Sequence, residues 1–569
     1  MESGALGPQQ RRLALQRMRD EVFDVVVIGG GVTGCGAALD AATRGLNVAL
    51  VEKRDFAAGT SSRSSKLIHG GLRYLEQLSF GLVREALRER SLLLTRLAPH
   101  LVRPVSFLYP LRHRGWERPY VGAGLTLYDT LAMSRSDGPA LPRHKHLTRK
   151  QALRLAPGLR SDALVGAVRY YDAQVDDARH TLALARTAVQ HGAALTTSTR
   201  VESFLREGER VVGVRVRELE SGDEFEIRAR QVINATGVWT DDVQGMVGRG
   251  RIRVRASKGV HLVVPRDRVH SDSGLVLRTA TSVLFVIPWG RHWIIGTTDT
   301  EWNLGKAHPA ASRADIDYIL GQVNTVLSQP LTRADVQGVY AGLRPLLHGE
   351  SEETSTLSRE HAVSQAVPGL VTVAGGKYTT YRVMAKDAVD MAAYGLDARV
   401  PPSCTDITPL AGAVGFQSAW NRRRSLATES GLHVARIEHL LGRYGTLIDE
   451  VLALIDKDPS LAEPVEGAED YLAVEVVYAA GHEGALHLDD VLTRRTHVSI
   501  ETFDRGVAAA EPVARLMGRV LGWDDDAVKR EIEHYLLRVA AELESQEQKD
   551  DHTADAARLG APDVRLGAR

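Results

Sequence analysis

The apolar run Phe23-Asp24-Val25-Val26-Val27-Ile28 ends abruptly in Gly29-Gly30-Gly31-Val32-Thr33-Gly34. A β-branched run that stops at glycine predicts a strand closed by a tight turn. Ala37 to Thr43 then has helical composition and stops at Arg44-Gly45, a helix-ending pair. Asn47 to Val51 is a second apolar run, ending at Glu52. Strand, helix and strand in this order form a βαβ unit with a parallel pair. Parallel strands need crossovers, and their sheet is covered on both faces. The glycines fit GxGxxG, each with its own task. Gly29 permits the turn, Gly31 lets backbone approach a diphosphate, and Gly34 lets helix pack on strand. The helix start offers free N–H groups and a positive dipole end to phosphate. Glu52 suits ribose hydroxyls and would repel a 2′-phosphate, which disfavours NADP.

Two later segments favour FAD over NAD. Val232-Ile233-Asn234-Ala235-Thr236-Gly237 and Val371-Thr372-Val373-Ala374-Gly375-Gly376-Lys377 both read as strands ending in small-residue turns. A nucleotide unit that returns so late suits an interrupted flavoprotein domain. Val211–Glu218 reads as a strand ahead of the first of these segments, and between the two Gly259–Pro265, Leu284–Pro288, Trp293–Gly296 and Gln337–Leu343 predict an antiparallel block. Arg84 to Leu97, Asp176 to His191 and Tyr381 to Gly395 read as helices. After Pro401-Pro402 helical periodicity dominates, with a long helix predicted over Val528 to Leu543.

Composition closes off several classes. Lys and Arg total 71 and Asp and Glu total 71, so formal net charge is zero and bulk attraction to nucleic acid is not expected. Two cysteines, Cys35 and Cys404, exclude a disulfide framework and a Cys-built zinc or iron–sulfur site. No metal is expected. No apolar run reaches the roughly 18 residues of a spanning helix. Met1 to Asp20 has no apolar core of a secretory signal.

Longer strings carry a family likeness. One is Thr60-Ser61-Ser62-Arg63-Ser64-Ser65-Lys66-Leu67-Ile68-His69-Gly70-Gly71-Leu72-Arg73-Tyr74-Leu75. Others are Lys258-Gly259-Val260-His261, Ile287-Pro288-Trp289, Ile295-Gly296-Thr297-Thr298-Asp299, Gly342-Leu343-Arg344-Pro345-Leu346 and Gly375-Gly376-Lys377-Tyr378-Thr379-Thr380-Tyr381-Arg382. With these strings the chain resembles the FAD-dependent, respiratory, quinone-linked glycerol-3-phosphate dehydrogenases. The resemblance runs from about residue 22 to 390 and is less sharp beyond. It implies an α/β fold with an interrupted Rossmann-type FAD-binding domain of the glutathione-reductase or D-amino-acid-oxidase kind. An antiparallel substrate domain and an all-α C-terminal cap accompany it. The expected partition gives residues 1–80, 165–250 and 365–400 to FAD binding and 81–164 and 251–364 to the substrate domain. Residues 401–545 form the cap and 546–569 a flexible tail.

The resemblance also implies oxidation of sn-glycerol 3-phosphate to dihydroxyacetone phosphate, with electrons passed through FAD to a membrane quinone. A dianionic phosphate must then be held, a hydride must leave C2, and the C2 hydroxyl must lose a proton. By position in the matching strings, Arg73, Arg344 and Lys377 are the expected substrate pocket, and Tyr74 and Arg359 complete it. The planar fork of arginine donates two parallel bonds to phosphate. Arg344 and Lys377 are equally suited to offsetting negative charge on the flavin ring, and the residues leave that choice open. His261 is the expected general base, because its ordinary pKa lies near neutrality. The rival His69, beside Gly70-Gly71, is expected near the flavin. Ser61, Ser62, Ser65, Lys66, Gly70, Thr236, Gly237, Gly376 and Thr379 complete the expected cofactor set with Gly29, Gly31, Gly34 and Glu52.

A quinone acceptor places the protein on a membrane surface, expected to be the inner face of the cell membrane. Leu111-Arg112-His113-Arg114-Gly115-Trp116-Glu117-Arg118-Pro119-Tyr120 is basic with aromatic anchors, and 121–133 is largely apolar. That is the composition of an interfacial anchor. An internal helix of the substrate domain would also read this way. The cap helices are open to three roles, a homodimer contact, a cover for the FAD domain or a sensor of a partner, and helical content does not choose among them. Two other readings compete: an oxidase of the same fold that reduces oxygen to hydrogen peroxide, and a non-catalytic FAD-binding redox sensor. A phosphate clamp argues against the sensor, which needs flavin but no substrate.

Overall fold

The computed structural model describes residues 4–76, 78–132, 141–248, 250, 252–279, 283–348 and 361–565, without the side chains of Arg73 and Glu76. Two sheets organise these residues. The first carries five parallel strands in the order Leu370–Gly375, Glu224–Asn234, Val22–Ile28, Val48–Val51 and Ala194–Thr196. Helices Val32–Thr43, Asp177–Gln190 and Tyr381–Ala393 share one apolar cluster with it. Helix Pro8–Asp20 and the hairpin Thr199–Glu207/Arg210–Glu218 share the other. Burial on both faces is why Val25 to Val27 read as an unbroken apolar run. The predicted helices over Asp176 to His191 and Val528 to Leu543 form as Asp177–Gln190 and Asp525–Glu547. Each has an aspartate at its N-cap, accepting from Arg179 N–H and Ala527 N–H.

The second sheet is largely antiparallel. Its spine Val254–Pro265 pairs with His292–Gly296 on one side and Gly338–Leu347 on the other. The cap packs helices from Phe416–Asn421 to Asp525–Glu547 around two apolar clusters, with a small hairpin Pro464–Val465/Ala468–Leu472. Buried ion pairs tie it to the nucleotide domain: Arg179 to Glu483 at 2.5 Å, and Arg494 and Arg495 to Asp55 at 2.6 and 2.7 Å.

The observed partition differs from the expected one in three places. Gly166–Val175, expected in the FAD-binding domain, pairs along its length with Val102–Leu111 in the antiparallel sheet. That partner lies across two intervening helices, Glu117–Ala132 and Arg149–Leu155, so local pattern does not reveal it. His361–Val367 pairs with Leu370–Gly375, so the parallel sheet regains the chain at 361 rather than 365. The expected flexible tail holds a helix, Asp551–Leu559, whose Ala554 and Arg558 are buried. Its composition is polar, yet its polar groups meet partners: Asp551 with Lys258 at 2.5 Å, and Arg565 beyond it with Asp490 at 2.8 Å.

Candidate active site

All five parallel strands end at one edge of their sheet, where open α/β sheets take ligands. At this edge lie Gly29, Glu52, Thr236, Gly237 and Gly376, all lining a cleft of about 1410 Å³. A Cβ at Gly34 would stand 1.9 Å from Gly29 O, so only glycine lets this helix sit on this strand. Gly29 has a φ of 112°, a conformation side chains rarely adopt. Val32 N–H donates to Ser61 Oγ at 2.9 Å, which places the Ser-rich segment over the helix start. The Glu52 carboxylate accepts from Gly30 N–H at 2.6 Å and Arg54 N–H at 2.8 Å. A glycine cradle, an open helix start and an acidic residue at the second strand's end fit the diphosphate and ribose of a dinucleotide.

The second sheet closes the cleft from the other side. Strand residues alternate between faces, so Ser257, Gly259 and His261 share one face and Tyr340, Gly342 and Arg344 its counterpart. His261 pairs in register with Tyr340, and their rings stack at 4.8 Å with 12° between planes. Arg344 Nη2 donates to Thr297 Oγ1 and Thr298 O, both at 3.1 Å, and Nη1 faces Asp299 Oδ1 at 3.5 Å. A Cβ on Gly259 would meet Arg344 Nη2 at 2.5 Å, so that glycine makes room for the guanidinium. Lys377 follows the strand Leu370–Gly375 and lays its ammonium 3.6 Å from the centre of the Tyr74 ring. Arg344, Lys377, Tyr74, Ser65 and His261 all line the cleft.

His261 Nε2 shares a 2.8 Å hydrogen bond with Ser65 Oγ. Burial, then the charges of Arg344 and Lys66, push its pKa well below the ordinary value. At neutral pH the imidazole is uncharged and open to a proton. His69 also lines the cleft; its backbone N–H and C=O both bond Thr379 Oγ1, at 3.2 and 3.3 Å.

Not every expected residue meets the cleft. Lys66 is fully buried and turns to Asp177 at 2.5 Å, donating also to Ser62 O. Gly70 lies behind the wall, its N–H donating to Tyr128 O–H at 2.8 Å. Ser62 and Gly34 likewise support the wall without lining it. Arg359 and the Arg73 side chain lie outside the described residues. Residues the sequence reading did not single out also line the cleft, including Arg54, Arg63, Tyr170, Trp239 and Phe285. Tyr340, which stacks on His261, was legible in principle: it stands two steps of strand alternation before Arg344. The aromatic residues carried no such signal.

Comparisons with known proteins agree with this fold. The FAD dependent oxidoreductase family matches residues 24–391, and the C-terminal domain of alpha-glycerophosphate oxidase matches 403–528. The chain is 59% identical to glycerol-3-phosphate dehydrogenase 2 of Mycobacterium tuberculosis over 564 residues, covering 99% of this chain and 96% of that one. It is 38% identical to the human mitochondrial glycerol-3-phosphate dehydrogenase over 550 residues, covering 92% and 74%. Among solved structures, the glycerol-3-phosphate dehydrogenase of Bacillus halodurans complexed with FAD aligns with a TM-score of 0.76 at 28% identity, covering 94% and 98%. L-alpha-glycerophosphate oxidase of Mycoplasma pneumoniae, at 19% identity and a TM-score of 0.54, shares the fold over 68% of this chain and 99% of that one.

Proposed function

The chain belongs to the FAD-dependent glycerol-3-phosphate dehydrogenases, and from that premise we propose that it oxidises sn-glycerol 3-phosphate to dihydroxyacetone phosphate and passes the electrons to a membrane quinone. FAD is its cofactor, and when bound it supplies the acceptor for a hydride from C2. The observation that carries this reading is the shared cleft. The glycine cradle occupies one end, while Arg344, Lys377 and an uncharged His261 converge elsewhere on the same walls.

Arg344 and Lys377 bind the phosphate dianion and orient the substrate. The Arg344 fork is pre-set by Thr297, Thr298 and Asp299. Tyr74 holds the Lys377 ammonium through its ring. Arg73 belongs to this proposal by its place in the matching string, and Arg359 as a further cationic candidate. The C2 hydroxyl proton passes to His261 at Nε2, where Ser65 Oγ is already bonded, and Tyr340 fixes the ring plane.

Among the described residues, no helix is long and apolar enough to cross a membrane. A surface contact is supported by helix Glu117–Ala132 and the loop before it. Trp116, Tyr120 and Leu127 are exposed there, together with Arg112 and Arg114. Tyr120, Val121 and Leu127 also line the cleft, which gives an apolar acceptor arriving from a bilayer an apolar stretch of wall to meet. A homodimer through the cap remains part of this proposal.

The test is an anaerobic absorbance spectrum of purified protein, with and without sn-glycerol 3-phosphate. Flavin bands near about 450 nm should bleach with this substrate and not with glycerol or an amino acid. Bands that persist would overturn the substrate assignment. A quinone analogue should then restore them faster than oxygen does; faster recovery with oxygen, with stoichiometric peroxide, would establish the oxidase instead.

A further inference from the structure

Among the described residues, three arginines near the nucleotide end of the cleft form no ion pair with a carboxylate. Arg54 is buried and donates its guanidinium hydrogen bonds to two carbonyls, Ala307 O at 3.0 Å and Ala58 O at 3.3 Å. Arg63, partly buried, and Arg558, 4% exposed, donate no side-chain hydrogen bond and form no ion pair among the described residues. Their neighbours are served differently. Arg494 and Arg495 hold Asp55, Arg538 holds Asp489, and Arg565 holds Asp490. Glu52 and Asp563 lie near Arg54, but Glu52 accepts from the backbone of Gly30 and Arg54, and Asp563 faces His308 and Arg565.

A buried cation without a counter-ion is costly. Burial and the surrounding Arg54, Arg538, Arg558 and Arg494 push the Arg63 pKa down; burial with Arg538 takes Arg558 to about 10 against Glu542 and Asp489, both of which are paired with Arg538. A cation held among cations is relieved by an anion. Position names that anion. Arg54 stands two residues beyond Glu52, and Arg63 two beyond Ser61, whose Oγ sits on the first N–H of the glycine-loop helix. Arg54 and Arg63 line the cleft beside Gly31. Arg558 comes from helix Asp551–Leu559, beyond both matched family regions, which end at 391 and 528.

We propose that Arg54 and Arg63, backed by Arg558, supply the counter-charge for the FAD diphosphate, which makes the C-terminal helix part of the cofactor site. The proposal rests on the FAD assignment and not on the identity of the substrate. A helix start alone offers N–H groups and a partial charge; full charges beside it add to that hold on the diphosphate.

The test strips FAD from the purified full-length protein and titrates it with FAD and, separately, with riboflavin, which has no diphosphate. Flavin fluorescence reports binding without turnover. Arg63→Gln should weaken FAD at least about tenfold and Arg63→Lys less, while Arg558→Gln weakens it severalfold. Riboflavin affinity should not change in any of them. Raising KCl should loosen FAD from the wild type more steeply than from Arg63→Gln. Unchanged FAD affinity in Arg63→Gln would overturn the proposal. So would an equal loss of FAD and riboflavin, which would mark a packing role. Wild-type protein that binds riboflavin as tightly as FAD would overturn it too. Arg63→Lys keeps the test open should the glutamine variant fold poorly.

Discussion

At the scale of single residues, the chemistry depends on side chains whose neighbours leave them little choice. His261 is uncharged because it is buried beside Arg344 and Lys66. Its protonation therefore falls at a pH well below 6.5, and the acid form is absent across the neutral range. In kcat/KM between about pH 7.5 and 6 no acid limb should come from His261; a limb from the substrate phosphate, whose second ionisation lies near about 6, should be the same in His261→Gln. A limb near 6.5 that disappears in His261→Gln would contradict this account. His261→Gln itself should lower kcat by about 10²- to 10⁴-fold with KM little changed. Gly259→Ala acts on the other partner. Its methyl would stand 2.5 Å from Arg344 Nη2 and 2.6 Å from Thr297 Oγ1, so the guanidinium must shift. KM for sn-glycerol 3-phosphate should rise about tenfold, roughly 1.4 kcal/mol, while bound FAD per chain stays the same.

At the scale of elements, the helix Glu117–Ala132 and the loop before it present basic and aromatic groups together. The Glu117 carboxylate accepts from Arg112 N–H at 2.6 Å and His113 N–H at 2.8 Å, which fixes the loop that carries both arginines and Trp116. Reversing Arg112 and Arg114 to Glu should release the protein from anionic vesicles in a sedimentation assay. Each basic residue near such a surface contributes about 1 kcal/mol. Turnover with a soluble acceptor should persist. Vesicle binding that survives the double reversal would remove the helix from the membrane reading.

At the scale of the whole molecule, buried charge joins the cap to the nucleotide domain. Burial and Arg565 oppose protonation of His487, but hydrogen bonds to Glu220 at 2.9 Å and Glu531 at 2.8 Å prevail and raise its pKa to about 10. The contribution of this clamp is complete below the unfolded pKa near 6.5 and is lost as pH rises through about 10. His487→Gln should cost roughly 3 kcal/mol at neutral pH, because it leaves the buried Glu531 and the partly exposed Glu220 without their cation. The difference in Tm from wild type should narrow toward pH 10. His100, His180 and His308 behave oppositely: burial holds each at about 3. Below about pH 6.5 the unfolded chain takes protons that these folded sites refuse, so stability should fall with acidity, as urea midpoints at pH 7 and 5 would reveal.

Much of this protein was legible in its residues. The glycines from Gly29 to Gly34 dictate the turn and the helix packing because only a missing Cβ fits there. The unbroken run Val25–Ile28 dictates a strand buried on both faces, and Arg344, Lys377 and His261 belong to strings that name their chemistry. These are local signals, set by backbone sterics and side-chain type. The tertiary structure alone decided the rest. It brought Tyr340 onto His261, turned Lys66 away to Asp177, paired Gly166–Val175 with a strand far behind it, and docked a polar tail on the molecule. Each of these depends on a partner distant in sequence. The stability of a buried charge or a strand edge is settled by whichever group meets it, and no local pattern names that group.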